Sequence, residues 1–282
     1  MEPAADRSVL VVTDLDGTLW DAHQAIHWRT LEAVAELDGR GIPLLVATGR
    51  RQSSTRSGFA LNDFWRPAVM LNGTVGVDYP DEVTFHTATF TAAESREVLA
   101  AFAECGHVPC IYGSDGFTYV SPDATTSPRH RSGMIGGVGD VRNENPEHLL
   151  DAGQVLGFSI IGVELDGLET LAPRLREFGM FVDTYQDPLY GGWSVMAQPP
   201  GVSKSTGIDA FIAHRGLQNP IVIAMGDGGN DVEMVQDADI GLAVSGGDDA
   251  VLAVADRVIG GPAQGGWAEV LDVIDGLGDL EG

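Results

Sequence analysis

Lysine is almost missing from this chain. Of sixteen basic residues only Lys204 is a lysine, against forty-one acidic residues, which leaves a formal net charge of −25 over 282 residues. Such a balance lacks the cationic footprint that nucleic acid demands, and it is equally unsuited to an anionic membrane surface. Long hydrophobic runs are missing too. None approaches the roughly 20 residues that span a bilayer, and the first, Val9 to Val12, is too short for a signal-peptide core. We therefore expect a cytoplasmic protein with neither nucleic acid nor membrane as partner. Cysteine is scarce: Cys105 and Cys110 cannot build a disulfide framework or a four-cysteine zinc site. Two reduced thiols are expected, with a single bridge as the alternative. The histidines show no metal-ligand spacing, and no G-x-S-x-G nucleophile elbow occurs.

What is present is an ordinary globular balance, 44% hydrophobic and 20% charged residues, with 37 glycines that follow no collagen period. The length suits one large domain or two smaller ones. Short apolar runs at Ser8 to Thr13, Ile42 to Ala47 and Ala68 to Leu71 alternate with helical spacing at Thr30 to Arg40 and Gln52 to Leu61. Gly41 stops the first helix, and Asn72-Gly73 marks a turn. Continuous apolar strands joined by helices predict a parallel sheet covered on both faces. From Val83 the style changes. Val83 to Phe90 alternates as a strand, further strands come in neighbouring pairs around helices at Ala92 to Glu104 and Leu168 to Phe178, and a Gly-, Pro- and Arg-containing stretch runs from Ser121 to Asn145. The α/β style returns with a helix at Lys204 to Arg215 and strands at Pro220 to Met225 and Ile240 to Val244. The expected organisation is an α/β, Rossmann-like parallel-sheet core in two pieces, 1–82 and 197–282, interrupted by an α+β domain at 83–196.

Four segments carry candidate chemistry. Asp14-Leu15-Asp16-Gly17-Thr18-Leu19 follows the first strand, where the carboxyl end of a parallel strand forms the ligand-binding edge. An EF-hand loop is excluded, because its sixth position would be Leu19 and its twelfth Ala25. A plain Asp-Gly turn remains the alternative. Thr48-Gly49-Arg50 follows the second strand and opens a helix; it reads as an N-cap, or as a hydroxyl and free N–H groups for phosphate. Gly226-Asp227-Gly228-Gly229-Asn230-Asp231 reads as a Gly-rich turn, or as hard oxygen ligands suited to Mg²⁺. Lys204 is the fourth candidate. A chain that uses arginine at every other basic position has kept one compact ammonium at a strand-to-helix junction. Its surroundings, Gly201-Val202-Ser203-Lys204-Ser205, lack the glycine spacing of a P-loop.

Taken together, Asp14-Leu15-Asp16-Gly17-Thr18, Thr48-Gly49-Arg50, Lys204 and Gly226 to Asp231 resemble, in order, the four motifs of the haloacid dehalogenase-like superfamily. The large insert between the second and third resembles the Cof-type phosphatases with a class IIB cap. Asn72-Gly73-Thr74 is similar to the Asn-Gly element those enzymes carry after the third core strand, and Gly261 to Trp267 resembles a segment of mannosyl-3-phosphoglycerate phosphatases. The resemblance implies a Mg²⁺-dependent phosphatase acting on a small phosphorylated metabolite, a phosphosugar or phosphoglycerate derivative. It implies Asp14 as the nucleophile that forms an aspartyl-phosphate, and Asp16 as general acid and then base. It also implies Mg²⁺ held by Asp14, the backbone carbonyl of Asp16 and Asp227, with Asn230 and Asp231 assisting. Thr48, Gly49, Arg50, Asn72, Lys204 and Asn230 are the expected substrate contacts. A phosphomutase sharing the aspartyl-phosphate is the chemical rival, and a non-catalytic phosphometabolite-binding regulator the rival from another class.

The insert is expected to choose the substrate. Ser127-Pro128-Arg129-His130-Arg131-Ser132 gathers two arginines and a histidine in an acidic chain; it reads as a solvated loop, with recognition of a second anion as the functional alternative. Tyr112, Tyr185, Tyr190 and Trp193 read as core aromatics, with sugar stacking as the alternative.

Overall fold

The computed structural model describes residues 7–137, 140–165, 167–187 and 190–277. In chain order the elements are β1 (Val9–Thr13), α1 (Trp28–Arg40), β2 (Leu44–Ala47), α2 (Gln52–Asn62), β3 (Ala68–Met70), β4 (Val75–Asp78) and β5 (Val83–Thr87). There follow α3 (Ala92–Glu104), β6 (Cys110–Gly113), β7 (Thr118–Tyr119), α4 (Pro128–Gly137), β8 (Val141–Arg142), α5 (Glu147–Ala152), β9 (Val155–Val163), α6 (Leu168–Glu177), β10 (Met180–Gln186) and β11 (Trp193–Pro200). The chain closes with α7 (Lys204–Arg215), β12 (Ile221–Gly226), α8 (Val232–Asp237), β13 (Ile240–Val244), α9 (Asp249–Val254), β14 (Arg257–Ile259) and α10 (Val270–Leu277). Two compact units result. One comprises the described residues up to Arg50, Ser54–His86, and the described residues from Lys204 onward; the other comprises Arg51–Ser53 and the described residues of Thr87–Ser203.

The first unit is built on an eight-stranded sheet of order β14-β13-β12-β1-β2-β3-β4-β5. Strands β14 through β3 run parallel, and β4 turns back antiparallel on β3. Leu10, Val12, Leu45, Ala47, Val69, Ala224 and Ala243 pack with Ile208 and Phe211 of α7 and with Met234 of α8. Burial of whole strands explains their unbroken apolar runs. Helix α1 ends where expected, with Gly41 left-handed at φ 70°.

The second unit carries a six-stranded sheet of order β10-β11-β9-β6-β7-β8, antiparallel except for the β7–β8 pair. Its core joins Phe90, Val98, Phe102 and Phe158 to Leu168, Leu171 and Leu175 of α6. Helix α3 starts at Ala92 because Thr91 and Glu94 form a reciprocal capping box, an arrangement worth about 1 kcal/mol.

Two readings need correction. Val83 to Phe90 is not one strand: β5 stops at Thr87, and Phe90 makes a separate bridge to Val155. The segment Ser127 to Ser132, read as a solvated loop, lies largely in α4, and the stretch from Ser121 to Asn145, of which residues 138–139 lie outside those described, also holds β8. Within it Arg131 donates to the carbonyls of Ala124 at 2.6 Å and Ser121 at 3.3 Å, so its guanidinium ties its own loop together. His130 is buried, its Nδ1 lies 2.6 Å from Thr126 Oγ1, and its ring packs edge-on against Tyr190. Tyr112 is buried, with its hydroxyl 2.9 Å from Ser159 Oγ. Both cysteines are free thiols, and burial pushes Cys110 up to about 12. Among the described residues no helix is long and apolar enough to cross a membrane.

Candidate active site

The site grows out of the register between two central strands. β1 lies between β12 and β2, so the chain winds away from it in both directions, and a crevice forms at the carboxyl ends of such strands. Thr13 pairs with Met225, and the Asp14 N–H donates to the Met225 carbonyl at 2.9 Å. That register puts Asp14 and the residues after Gly226 on the same edge. Two glycines make the approach possible. A Cβ on Gly17, whose φ is +81°, would lie 2.3 Å from Asp227 Oδ2, and one on Gly226 would lie 2.3 Å from the Asp231 Cβ.

Three carboxylates and one ammonium meet there. Lys204 Nζ, at the start of α7, donates to Asp14 Oδ1 at 2.7 Å and to Asp231 Oδ1 at 2.5 Å, and its side chain is wholly buried. Asp231 Oδ2 accepts the backbone N–H groups of Asp227 at 3.0 Å and Gly228 at 2.9 Å. Asp227 Oδ1 accepts the Thr18 hydroxyl at 2.6 Å. Oxygens of Asp14, Asp227 and Asp231 all lie within 4.8 Å of one another. Burial drives the Asp14 carboxyl well above its ordinary range, against the pull of Lys204 and helped by the charges of Asp231, Asp227 and Asp16. Burial likewise raises Asp227 to about 6, with the Thr18 hydrogen bond opposing. Burial alone would lower the Lys204 ammonium, but Asp14 and Asp231 outweigh it and raise it. Three formal negative charges against one positive leave room for two more, and every donor is a hard oxygen. This set fits a divalent cation of the Mg²⁺ kind.

Beside this cluster sit Thr48, Gly49, Asn72 and Asn230. Thr48 is buried after β2, and its hydroxyl oxygen accepts the Arg50 N–H at 3.2 Å. Asn230 Nδ2 donates to Asn72 Oδ1 at 2.9 Å, while the buried Nδ2 of Asn72 has no hydrogen-bond partner. Leu71 and Asn72 both take left-handed backbone angles, φ 49° and 53°. Two consecutive non-glycine residues held in that region are strained, and the orphaned Asn72 donor belongs to one of them. A Cβ on Gly49 would come within 3.0 Å of Asn72 Oδ1 and 3.3 Å of Asn230 Nδ2.

The haloacid dehalogenase-like hydrolase family matches residues 11–271. The chain belongs to this family. Among its curated relatives, pyridoxal phosphate phosphatase YbhA of Escherichia coli is 25% identical over 89% of this chain and 93% of its own. A phosphoglycolate phosphatase of Methanopyrus kandleri is 26% identical over 89% and 90%. A 5-amino-6-(5-phospho-D-ribitylamino)uracil phosphatase, YitU of Bacillus subtilis, is 25% identical over 93% and 96%. In fold, the hydrolase superposes on a subclass IIB sugar phosphatase of the same superfamily with a TM-score of 0.74 at 21% identity, covering 95% of this chain and 99% of the other. A haloacid dehalogenase-like hydrolase of B. subtilis gives 0.76 at 18% identity, covering 93% and 98%.

Not every expected site residue of this hydrolase joins the cluster. The Asp16 side chain points to other partners: Arg50 Nε and Nη2 reach its two oxygens at 2.5 Å each, and Trp20 Nε1 donates to Oδ1 at 3.0 Å. The Arg50 guanidinium, expected on substrate, is taken up by Asp16. Trp267 is buried, and its indole N–H donates to Thr13 Oγ1 at 3.0 Å, while the Thr13 hydroxyl donates to the Asp14 carbonyl at 2.7 Å. It therefore props the strand end that carries Asp14. Trp20 and Thr13 were not legible as site residues. The signal available for Trp20 was its place directly after the Asp14 to Leu19 hexapeptide.

Proposed function

We propose that this haloacid dehalogenase-like phosphatase hydrolyses a small phosphorylated metabolite, a phosphosugar or phosphoglycerate derivative, through a phosphoryl group carried on Asp14. The observation that carries the reading is the buried Lys204 ammonium between Asp14 and Asp231, with Asp227 alongside. The activities for which the relatives are named, on pyridoxal phosphate, phosphoglycolate and a phosphoribitylamino uracil, support the same class of substrate.

Hydrolysis of phosphate monoesters is among the slowest reactions in water, and ~20 kcal/mol or more of barrier must be removed. A carboxylate nucleophile splits the task into two displacements. An Asp14 oxygen bonds to phosphorus as the ester P–O bond breaks, and Asp16 gives its proton to the departing alkoxide. Water then attacks phosphorus, Asp16 takes the water's proton, and the Asp14–phosphorus bond breaks to release inorganic phosphate. Lys204 fixes the Asp14 rotamer and offers positive charge to the phosphoryl oxygens, and the Asn72 amide and Thr48 hydroxyl add donors. Asp14 and Asp227, with the Asp16 carbonyl, would hold Mg²⁺, while Asp231 is held in place by Lys204 and two backbone N–H groups. When bound, the ion would neutralise charge on the nucleophile and on the transferring group.

Phosphate release from p-nitrophenyl phosphate is expected to require Mg²⁺ and to cease with EDTA. Asp14→Asn should lower it by roughly 1,000-fold or more while circular dichroism stays that of the parent. Single turnover in ¹⁸O-labelled water should place label in the released phosphate and none in Asp14. Near-normal activity of the variant, or label in Asp14, would remove Asp14 from the role of phosphoryl carrier.

A further inference from the structure

We propose that Trp20 and Arg50 are positioning residues that aim the Asp16 carboxyl for proton transfer, with Oδ2 as the oxygen that carries the proton. The inference deepens the reading above and rests on it. The loop after β1 folds back so that the Gly17 N–H donates to the Trp20 carbonyl at 3.1 Å and Asp16 bridges to Trp20. Trp20 is wholly buried, and a Cβ at Gly58 of α2 would lie 2.5 Å from its Cη2, so the indole is seated close against the helix at that glycine. From that seat the indole does two things at once. Its Nε1 donates to Asp16 Oδ1 at 3.0 Å, and its ring lies 4.9 Å from the Arg50 Cζ in a cation–π contact. Arg50 is steadied further by Nη1 on Ser54 Oγ at 3.3 Å, and its planar fork grips both Asp16 oxygens.

Counting lone pairs gives the direction of transfer. Each carboxyl oxygen offers two acceptor sites. Oδ1 spends both, on Arg50 Nη2 and Trp20 Nε1, whereas Oδ2 spends one, on Arg50 Nε. The remaining site is on Oδ2. The carboxyl itself is otherwise exposed, 52% by side-chain area, so without this clamp it would sample many rotamers and spend little time in line with a leaving group. Arg50 on this view does not hold the phosphoryl group; it holds the acid.

The leaving group supplies a test that separates aim from binding. Phenyl phosphate and p-nitrophenyl phosphate present the same phosphoryl group, but phenolate needs a proton far more than nitrophenolate does. Because kcat/KM covers steps through departure of the phenol, a misaimed acid should show there. For Trp20→Phe, which keeps the ring and deletes the N–H, kcat/KM should fall about tenfold with phenyl phosphate and two- to threefold with p-nitrophenyl phosphate. Arg50→Met should show a larger gap between the two probes, and Arg50→Lys, which restores the charge without the fork, an intermediate one. Equal losses on both probes, or a rise in KM common to both for Arg50→Met, would overturn the proposal and make Arg50 a phosphate ligand. Asp16→Asn distinguishes the two levels: if it keeps turnover of phenyl phosphate, the acid assignment itself fails. If it abolishes turnover while the Trp20 and Arg50 variants show no gap, only the positioning inference fails.

Discussion

Asp14 and Asp16 stand two residues apart, yet the protein treats them in opposite ways. Asp14 is 6% exposed, is fixed by a buried ammonium and shares its surroundings with two more carboxylates. Asp16 keeps half of its side chain in solvent and is clasped by a guanidinium and an indole N–H. Both lie beyond the end of β1, in the loop that turns at Gly17 with φ 81°, and each side chain meets different partners there. On the proposed mechanism, identical chemical groups serve as nucleophile in one place and as proton carrier in the other.

The contrast can be broken hardest at Lys204. Lys204→Met leaves Asp14 and Asp231 buried without their cation, which should cost about 3–5 kcal/mol in urea unfolding and abolish turnover. Preserved stability would mean that Lys204 does not neutralise the buried side. Gly17→Ala attacks the same side from the backbone, because the new methyl collides with Asp227 and φ is +81°. It should lose about 1–3 kcal/mol and raise the Mg²⁺ concentration needed for half-maximal activity. An unchanged Mg²⁺ requirement would take Asp227 out of the cation site. The smallest effect belongs to the exposed side. Asp16→Asn should shift stability by less than about 1 kcal/mol despite its two-point grip on Arg50, since half-exposed pairs contribute little. A loss matching that of Lys204→Met would erase the contrast.

Much of the scaffold follows from local chemistry. The strand runs of the parallel sheet are legible because strands buried on both faces must be apolar throughout, and α3 begins at Ala92 because Thr91 and Glu94 cap it. Gly41 could be read as a stop because a left-handed residue is needed there. Short elements escaped. β14 spans three residues and α9 six, too few to show a period, and β4 follows β3 so closely that its apolar residues merge with the turn. Helix α4 was hidden by its glycines, which argue for loop, while its buried His130 finds a hydroxyl and an aromatic partner only in the folded unit.

The candidate site divides in the same manner. Motif residues at strand ends reveal which carboxylates, hydroxyls and amides reach the sheet edge, because parallel strands deliver their C-terminal residues to one place. They do not reveal which donor each acceptor takes. That Arg50 holds Asp16, that Asn72 keeps an unspent N–H and that Trp267 supports Thr13 are outcomes of competition among groups brought together from up to 254 positions apart. The motifs and their resemblance to a known family were enough to suggest the chemistry; pairing depended on distances of a few tenths of an ångström, which exist only once the chain has packed.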